Sequence, residues 1–265
     1  MATTNETAIP EGVTLSKGGA DVWSPSVTPP VPALTTEQKL ACAFRILDRE
    51  GFSENIAGHI TWVDGDDGSM LVNPWGLWWS EVSASDICRV DGDGTVLAGR
   101  WDVTPAVQIH TEIHRRRRDA RVVVHNHPYH VVVLAALGLI PEFLHQQSSM
   151  FDGDLGFVNE YSGEVDTPEL GAALADAVGD KSCVILANHG VIVTAPTIEE
   201  ATYKSATIDR QCRLMYDVLV AGRSASTVPP VLRPAMKASL LERGTEVYWA
   251  GAVRRLVREE PDVLE

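Results

Sequence analysis

The sequence predicts an α/β domain, with one mixed or antiparallel sheet covered by helices on both faces. Three observations carry this. Short β-branched apolar runs such as Val122-Val123-Val124 alternate with longer stretches of helical periodicity. Tight Gly- and Asp-rich turns, Asp64-Gly65-Asp66-Asp67-Gly68 and Gly92-Asp93-Gly94, join successive runs and argue against a purely parallel sheet. A chain of 265 residues with 45% apolar content is large enough to bury a substantial core.

Residues 1–34 are rich in Thr, Pro, Gly and Ser and lack periodicity, which predicts a flexible N-terminal arm that docks, if at all, through Trp23. A single domain then spans 35–265. Thr35-x-x-Gln38 is a capping-box signature, Leu40, Phe44 and Leu47 share one helical face, and Gly51 stops the helix. Strands are expected at Ile60 to Val63 and Met70 to Val72, a short helix at Ser83 to Ile87, and a hairpin from Cys88 to Val90 and Thr95 to Leu97. A helix from Thr104 or Pro105 to about Arg117 precedes a strand from Arg121 to His125. Another runs from Pro128 through Ala136, and an irregular stretch leads to a helix at Pro168 to Val178. Strands at Cys183 to Ala187 and Val191 to Thr194 follow, then a long helix capped by Thr197-x-x-Glu200 and running to about Ala221. The C-terminal segment is helical from Arg233 and again from Tyr248 to Arg258.

A formal charge of −14 argues against non-specific nucleic-acid binding, which needs Lys and Arg to displace counterions. The one basic run, Arg115 to Arg118, reads as a solvated helix face. Cys42, Cys88, Cys183 and Cys212 are far apart among apolar neighbours, so buried thiols in a reducing compartment are expected. No signal peptide and no apolar run near the ~20 residues of a membrane span is seen, so the expected location is cytoplasmic, with no membrane partner.

The chemistry concentrates at His125-Asn126-His127, where an apolar run ends in His-x-His, and at Asn188-His189-Gly190, which ends another. Alternate residues of a strand share a face, so His125 and His127 converge while Asn126 points away. Gly190 permits close approach of backbone or ligand beside His189. Three neutral imidazoles suit Zn, Fe, Mn or Co and leave open positions for substrate. A lone histidine is more often an ordinary half-buried residue; the pattern and the third histidine are what favour a metal.

These residues bring a family into view. From about Thr35 onward the chain resembles the class II aldolase/adducin superfamily, through Asn55-Ile56-Ala57-Gly58-His59-Ile60-Thr61, Asn73-Pro74-Trp75-Gly76, Asp86-Ile87-Cys88-Arg89-Val90-Asp91, His110 fifteen residues before His125-Asn126-His127-Pro128, and Asn188-His189-Gly190. The resemblance implies a three-layer α/β/α domain, a four-fold homotetramer, and one divalent metal per chain held by His125, His127 and His189. The departures matter as much. Sugar-phosphate aldolases of the superfamily carry a proton-transferring Glu where this chain has Ala106, and a Tyr in a region that here holds Gln146 and Gln147. Their phosphate-binding segments read here as Gly58-His59-Ile60-Thr61 and Trp75-Gly76. The indole of Trp75, with Trp78 and Trp79 behind it, suits an apolar, aromatic substrate better than a phosphate.

The expected activity is therefore metal-dependent carbon–carbon cleavage, by decarboxylation, of an aromatic α-keto or α-hydroxy acid. Loss of both acid/base groups favours Fe(II) with dioxygen and oxidative decarboxylation, as in the non-haem iron oxygenases of aminocoumarin antibiotic biosynthesis, which the chain also resembles. A redox-neutral Zn(II)- or Mn(II)-dependent decarboxylase or aldolase is the alternative, and a non-enzymatic adducin-like interaction protein is the other. His59 is expected to bind a carboxylate or act as acid or base, and Gln146 or Gln147 to orient substrate or dioxygen. Trp75, Gly76 and Trp79 are expected to line the substrate pocket, with His110 bordering it or fixing a metal ligand's tautomer.

Overall fold

The computed structural model describes residues 27–63, 65 and 67–265. Most of the expected N-terminal arm, including Trp23, lies outside them. Eight strands form one sheet in the order β4-β3-β2-β1-β5-β8-β7-β6. They are β1 (His59–Val63), β2 (Met70–Val72), β3 (Cys88–Val90), β4 (Val96–Ala98), β5 (Val122–Asn126), β6 (Leu155–Val158), β7 (Cys183–Leu186) and β8 (Gly190–Ala195). All pairings are antiparallel except β6 with β7, so the sheet is mixed as expected.

Side-chain alternation along β5 divides the core into two layers. Val122 and Val124 pack with α1 (Thr36–Arg49), α3 (Tyr129–Ala136), α5 (Ile198–Ala221) and α7 (Thr245–Glu259) on one face. Val123 packs with Ile109 and Ile113 of α2 (Gln108–Arg116) and Ala175 and Val178 of α4 (Pro168–Val178) on the other. His125 shares the parity of Val123, so it lies on the α2/α4 side.

The local signals act as read. Thr35 Oγ1 accepts from Gln38 N while Gln38 Oε1 accepts from Thr35 N, a reciprocal cap that stabilises α1 by about 1 kcal/mol. The Thr197 hydroxyl accepts from Glu200 N, but the Glu200 carboxylate turns to Lys204 at 2.7 Å instead of completing a box. The expected helix at Ser83 to Ile87 is a single 3-10 turn, Ala84–Asp86. The stretch expected to be irregular contains β6; Gly156 within it and Gly153 before it weaken the strand pattern. The C-terminal helices are continuous: α6 (Arg233–Ser239) runs through a π-turn, Leu240–Gly244, into α7. All four cysteines are buried free thiols. In the Arg115 to Arg118 run, Arg115, Arg116 and Arg118 are exposed as expected, but the run is also tied down. Arg115 and Arg116 both pair with the buried Glu112 carboxylate, and Arg117 donates to the Lys181 carbonyl at 2.6 Å. No described helix is long and apolar enough to cross a membrane.

Candidate metal centre

The site forms where β5 ends. His125 is the fourth residue of that strand, and His127 follows its last residue, Asn126. Asn126 points the other way and serves as a splint: its Oδ1 accepts from His127 N at 2.6 Å, and its Nδ2 donates to the Ala57 carbonyl at 3.3 Å. His189 sits in the tight turn between β7 and β8, where Asn188 takes a left-handed conformation with φ 53°. The His125 and His127 Nε2 atoms lie 3.2 Å apart, and one ligand nitrogen from each of His125, His127 and His189 falls within 4.8 Å of the others.

The donor set fits a divalent cation. His125 Nδ1 donates to the Val191 carbonyl at 3.0 Å, which places the hydrogen on Nδ1 and the lone pair on Nε2. His127 Nδ1 lies 2.7 Å from Glu54 Oε2 and donates to it, with the same consequence. Both lone pairs therefore converge. Burial, then the neighbouring imidazoles with His189 first, holds His125 well below the ordinary histidine value. His189 is pushed down to about 4 by burial and by His127. Neutral imidazoles are the metal-binding form.

Two glycines make the geometry possible. A Cβ on Gly58, whose φ is +88°, would stand 2.5 Å from Asn126 Nδ2 and 2.7 Å from the His125 carbonyl oxygen. A Cβ on Gly190 would stand 2.3 Å from the Asn126 carbonyl oxygen and 2.7 Å from His127 Cδ2. Contacts this short exist in no relaxed structure, so both positions exclude every larger residue.

Glu54 was not read from the sequence as a site residue. Its carboxylate orients His127 and raises the basicity of the metal-facing nitrogen. Glu54→Gln keeps an acceptor oxygen but removes the charge, and Glu54→Ala removes both. Metal affinity is expected to fall by roughly 10- to 100-fold in the alanine variant and less in the glutamine variant. Competitive chelator titration measures it, and equal affinity in all three proteins would contradict the role.

Behind the ligands lies a second group of histidines. His59 at the start of β1 pairs in register with His125, and the ring centroids are 5.9 Å apart. Burial, then His127 and His189, pushes His59 down to about 3. His110, on α2, stands 5.4 Å behind His59 and has no solvent exposure. Its Nδ1 and His114 Nε2 each lie 2.8 Å from the Thr61 hydroxyl. His110 is thus sealed behind His59 rather than lining the pocket, a correction to its expected substrate contact.

The expected aromatic wall is divided. Trp75 and Trp78 are 55% and 50% exposed. Trp75 and Gly76 follow β2 on the edge where β1 begins, held there by Asn73, whose amide bonds the Gly58 carbonyl and Ile60 N. Trp79, expected in the pocket, is instead fully buried: it meets Phe44 edge-on at 5.0 Å, stacks obliquely on Phe52 and donates Nε1 to the Gly58 carbonyl. It props the His59 loop from inside the core. Gln146 and Gln147 are not brought to the three imidazoles within the chain. Gln147 Nε2 donates to Tyr203 Oη at 3.5 Å on the α5 side of the sheet. Tyr161, half exposed, stands 6.2 Å from the His189 ring beside a hollow of about 70 Å³. It lies just beyond the region compared with the aldolase tyrosine.

An α/β fold with three imidazoles converging at the ends of central strands defines a class II aldolase-like candidate metal site. The chain belongs to the Class II Aldolase and Adducin N-terminal domain family, whose model matches residues 38–216. It is 33% identical over 198 residues, 71% of this chain, to an adducin-related protein of Schizosaccharomyces pombe, of which the match covers 57%. It is 31% identical over 220 residues to a 3,4-dihydroxyphthalate decarboxylase of Arthrobacter keyseri, covering 78% of this chain and 86% of that protein. With a 4-hydroxy-3-prenylphenylpyruvate oxygenase/4-hydroxy-3-prenylbenzoate synthase of Streptomyces roseochromogenus subsp. oscitans it shares 30% identity over 193 residues, 71% and 69% of the two chains. In fold it matches an L-fuculose 1-phosphate aldolase from Glaciozyma antarctica, with a TM-score of 0.77 over 90% of this chain and 97% of that one, at 24% identity.

Proposed function

We propose that this chain is a metal-dependent decarboxylase of a small aromatic acid whose carboxylate has a keto or hydroxyl oxygen beside it. The observation that carries the reading is the pair of tethered imidazoles, His125 on the Val191 carbonyl and His127 on Glu54, with their Nε2 atoms turned together at 3.2 Å. A bound divalent ion supplies a Lewis acid for the negative charge that develops as the carbon–carbon bond breaks. The protein supplies the rest. His125, His127 and His189 would hold the ion, and a site with three protein ligands would leave coordination positions for the acid. Trp75 and Trp78 give an aromatic ring an apolar surface at the rim. Ala106 offers no proton carrier, which argues against the aldolase reaction of sugar phosphates.

Likeness to the Arthrobacter decarboxylase supports the redox-neutral form with Zn(II) or Mn(II). Likeness to the Streptomyces oxygenase supports a second reading, oxidative decarboxylation with Fe(II) and dioxygen. Kinship with adducin-related proteins raises a non-enzymatic role, against which the intact imidazole triad stands. The test is carbon dioxide release from mandelates, hydroxyphenylpyruvates and dihydroxyphthalates by protein reconstituted with Zn(II), Mn(II) or Fe(II), with and without oxygen. Release is expected from at least one aromatic acid and not from the metal-free protein. Oxygen-independent release selects the redox-neutral form, and release only with Fe(II) and oxygen selects the oxidative one. Cleavage of ketose 1-phosphates in place of these acids would refute the proposal.

A further inference from the structure

Behind the three imidazoles, a row of polar groups is joined by hydrogen bonds whose sense is fixed. The Ala120 carbonyl lies 2.7 Å from His114 Nδ1. A carbonyl can only accept, so Nδ1 carries the hydrogen. Burial holds His114 down to about 4, against a smaller opposing effect of that carbonyl, so at neutral pH its Nε2 keeps a lone pair. Nε2 accepts from the Thr61 hydroxyl at 2.8 Å. Thr61 has a single hydrogen, now committed. Its other contact, 2.8 Å to His110 Nδ1, must run the opposite way, with His110 Nδ1–H donating to the Thr61 oxygen.

His110 Nε2 is therefore a bare lone pair. It is buried and makes no hydrogen bond of its own; the backbone contact of the ring with Val123 favours a hydrogen on the ring, which Nδ1 already carries. His59, whose ring packs edge-to-face against it at 5.4 Å, has a buried, partnerless nitrogen of its own, Nδ1. Buried polar atoms are penalised when left unpaired, and these two are complementary if His59 Nδ1 carries a hydrogen. A small ring rotation or one bridging water would close the gap. The hydrogen bonds then point one way from His59 to Ala120.

We propose that this one-way chain, through His59, His110, Thr61 and His114, leaves His59 Nε2 as a lone pair facing the substrate, so that the site selects acids with a hydroxyl beside the carboxylate over their keto counterparts. The choice of ligand class rests on the decarboxylase reading above. A keto or carboxylate oxygen brings only lone pairs and is repelled by another; a hydroxyl brings the hydrogen that His59 lacks. His59 is by the same reasoning not a carboxylate binder, and His110, Thr61 and His114 are positioning residues that act through it.

The test uses the full chain, loaded with zinc and labelled with 15N in histidine. Imidazole in water mostly carries its hydrogen on Nε2, so Nδ1–H on His59, His110 and His114 is a distinctive signature in long-range 1H–15N spectra. All three are expected to show it. Mandelate is expected to bind about tenfold more tightly than phenylglyoxylate, the ratio one hydrogen bond provides. Thr61→Val, isosteric but without the hydroxyl, is expected to release His110 to the Nε2–H form and to erase that preference with zinc content unchanged. Thr61→Ser is expected to restore both. Nε2–H on His110 or His59 in the unmodified protein overturns the chain, and phenylglyoxylate binding as tightly as mandelate overturns the selectivity. The Nδ1–H signatures with neither acid bound would support the chain and overturn the hydroxy-acid selectivity, while the decarboxylase reading falls separately if none of the wider set of acids releases carbon dioxide.

Discussion

Replacing His127 with alanine is expected to lower decarboxylation by about a thousandfold, roughly 4 kcal/mol of lost transition-state stabilisation, while leaving the fold intact. Fold and activity depend on different groups here. His127 lies one residue beyond β5, its side chain is 22% exposed, and its backbone N–H is held by Asn126 whatever its side chain. Little packing is lost. What is lost is one of three candidate ligands, together with the partner of the Glu54 carboxylate. Metal content per chain, far-UV circular dichroism and the rate of carbon dioxide release together check it. Full activity with undiminished metal in His127→Ala would remove the residue from the site.

Gly190→Ala is expected to act by a different route, through backbone rather than ligand chemistry. The new methyl would stand 2.3 Å from the Asn126 carbonyl oxygen and 3.1 Å from its carbon. No rotamer change relieves a clash with main chain, so β8 and the end of β5 must separate. Overpacking of this kind costs about 3 kcal/mol or more, which for a chain of this size lowers Tm by roughly 6–12 °C. Because the methyl also meets His127 Cδ2 at 2.7 Å, the surviving folded protein should bind metal more weakly. Gly92→Ala is the control. Its nearest neighbour is the Gly68 oxygen at 3.5 Å, an ordinary contact, so a change within about 0.5 kcal/mol is expected. Equal melting temperatures for the two variants would contradict the close approach at Gly190.

The grouping of His125, His127 and His189 was legible because its signals are local. His-x-His at the end of a β-run fixes the relative position of two side chains by strand geometry alone, and Gly190 marks the third. His110 and His114 stand four residues apart on α2 and so share one helix face. What joins them is Thr61, from a strand distant in sequence, and no short-range pattern announces that contact. Glu54 was hidden for the same reason. A carboxylate in a polar loop looks like solvent-facing surface until the fold sets it 2.7 Å from His127. Trp79 was misread because Trp75, Trp78 and Trp79 form a cluster without periodicity. Only the packing of Phe44 and Phe52 around one of them separates core from rim. The β6 strand escaped notice because four residues containing a glycine carry too little alternation, and its pairing with β7 is supplied by the sheet.

One ion belongs where a nitrogen from each of the three imidazoles converges. The direct measurement is an anomalous-difference map from crystals of the zinc-reconstituted protein, collected on both sides of the zinc absorption edge. The predicted result is one strong peak per chain, about 2.0–2.1 Å from the Nε2 atoms of His125 and His127 and from one ring nitrogen of His189. No peak there, or a peak held by other residues with these imidazoles unbound, would contradict it.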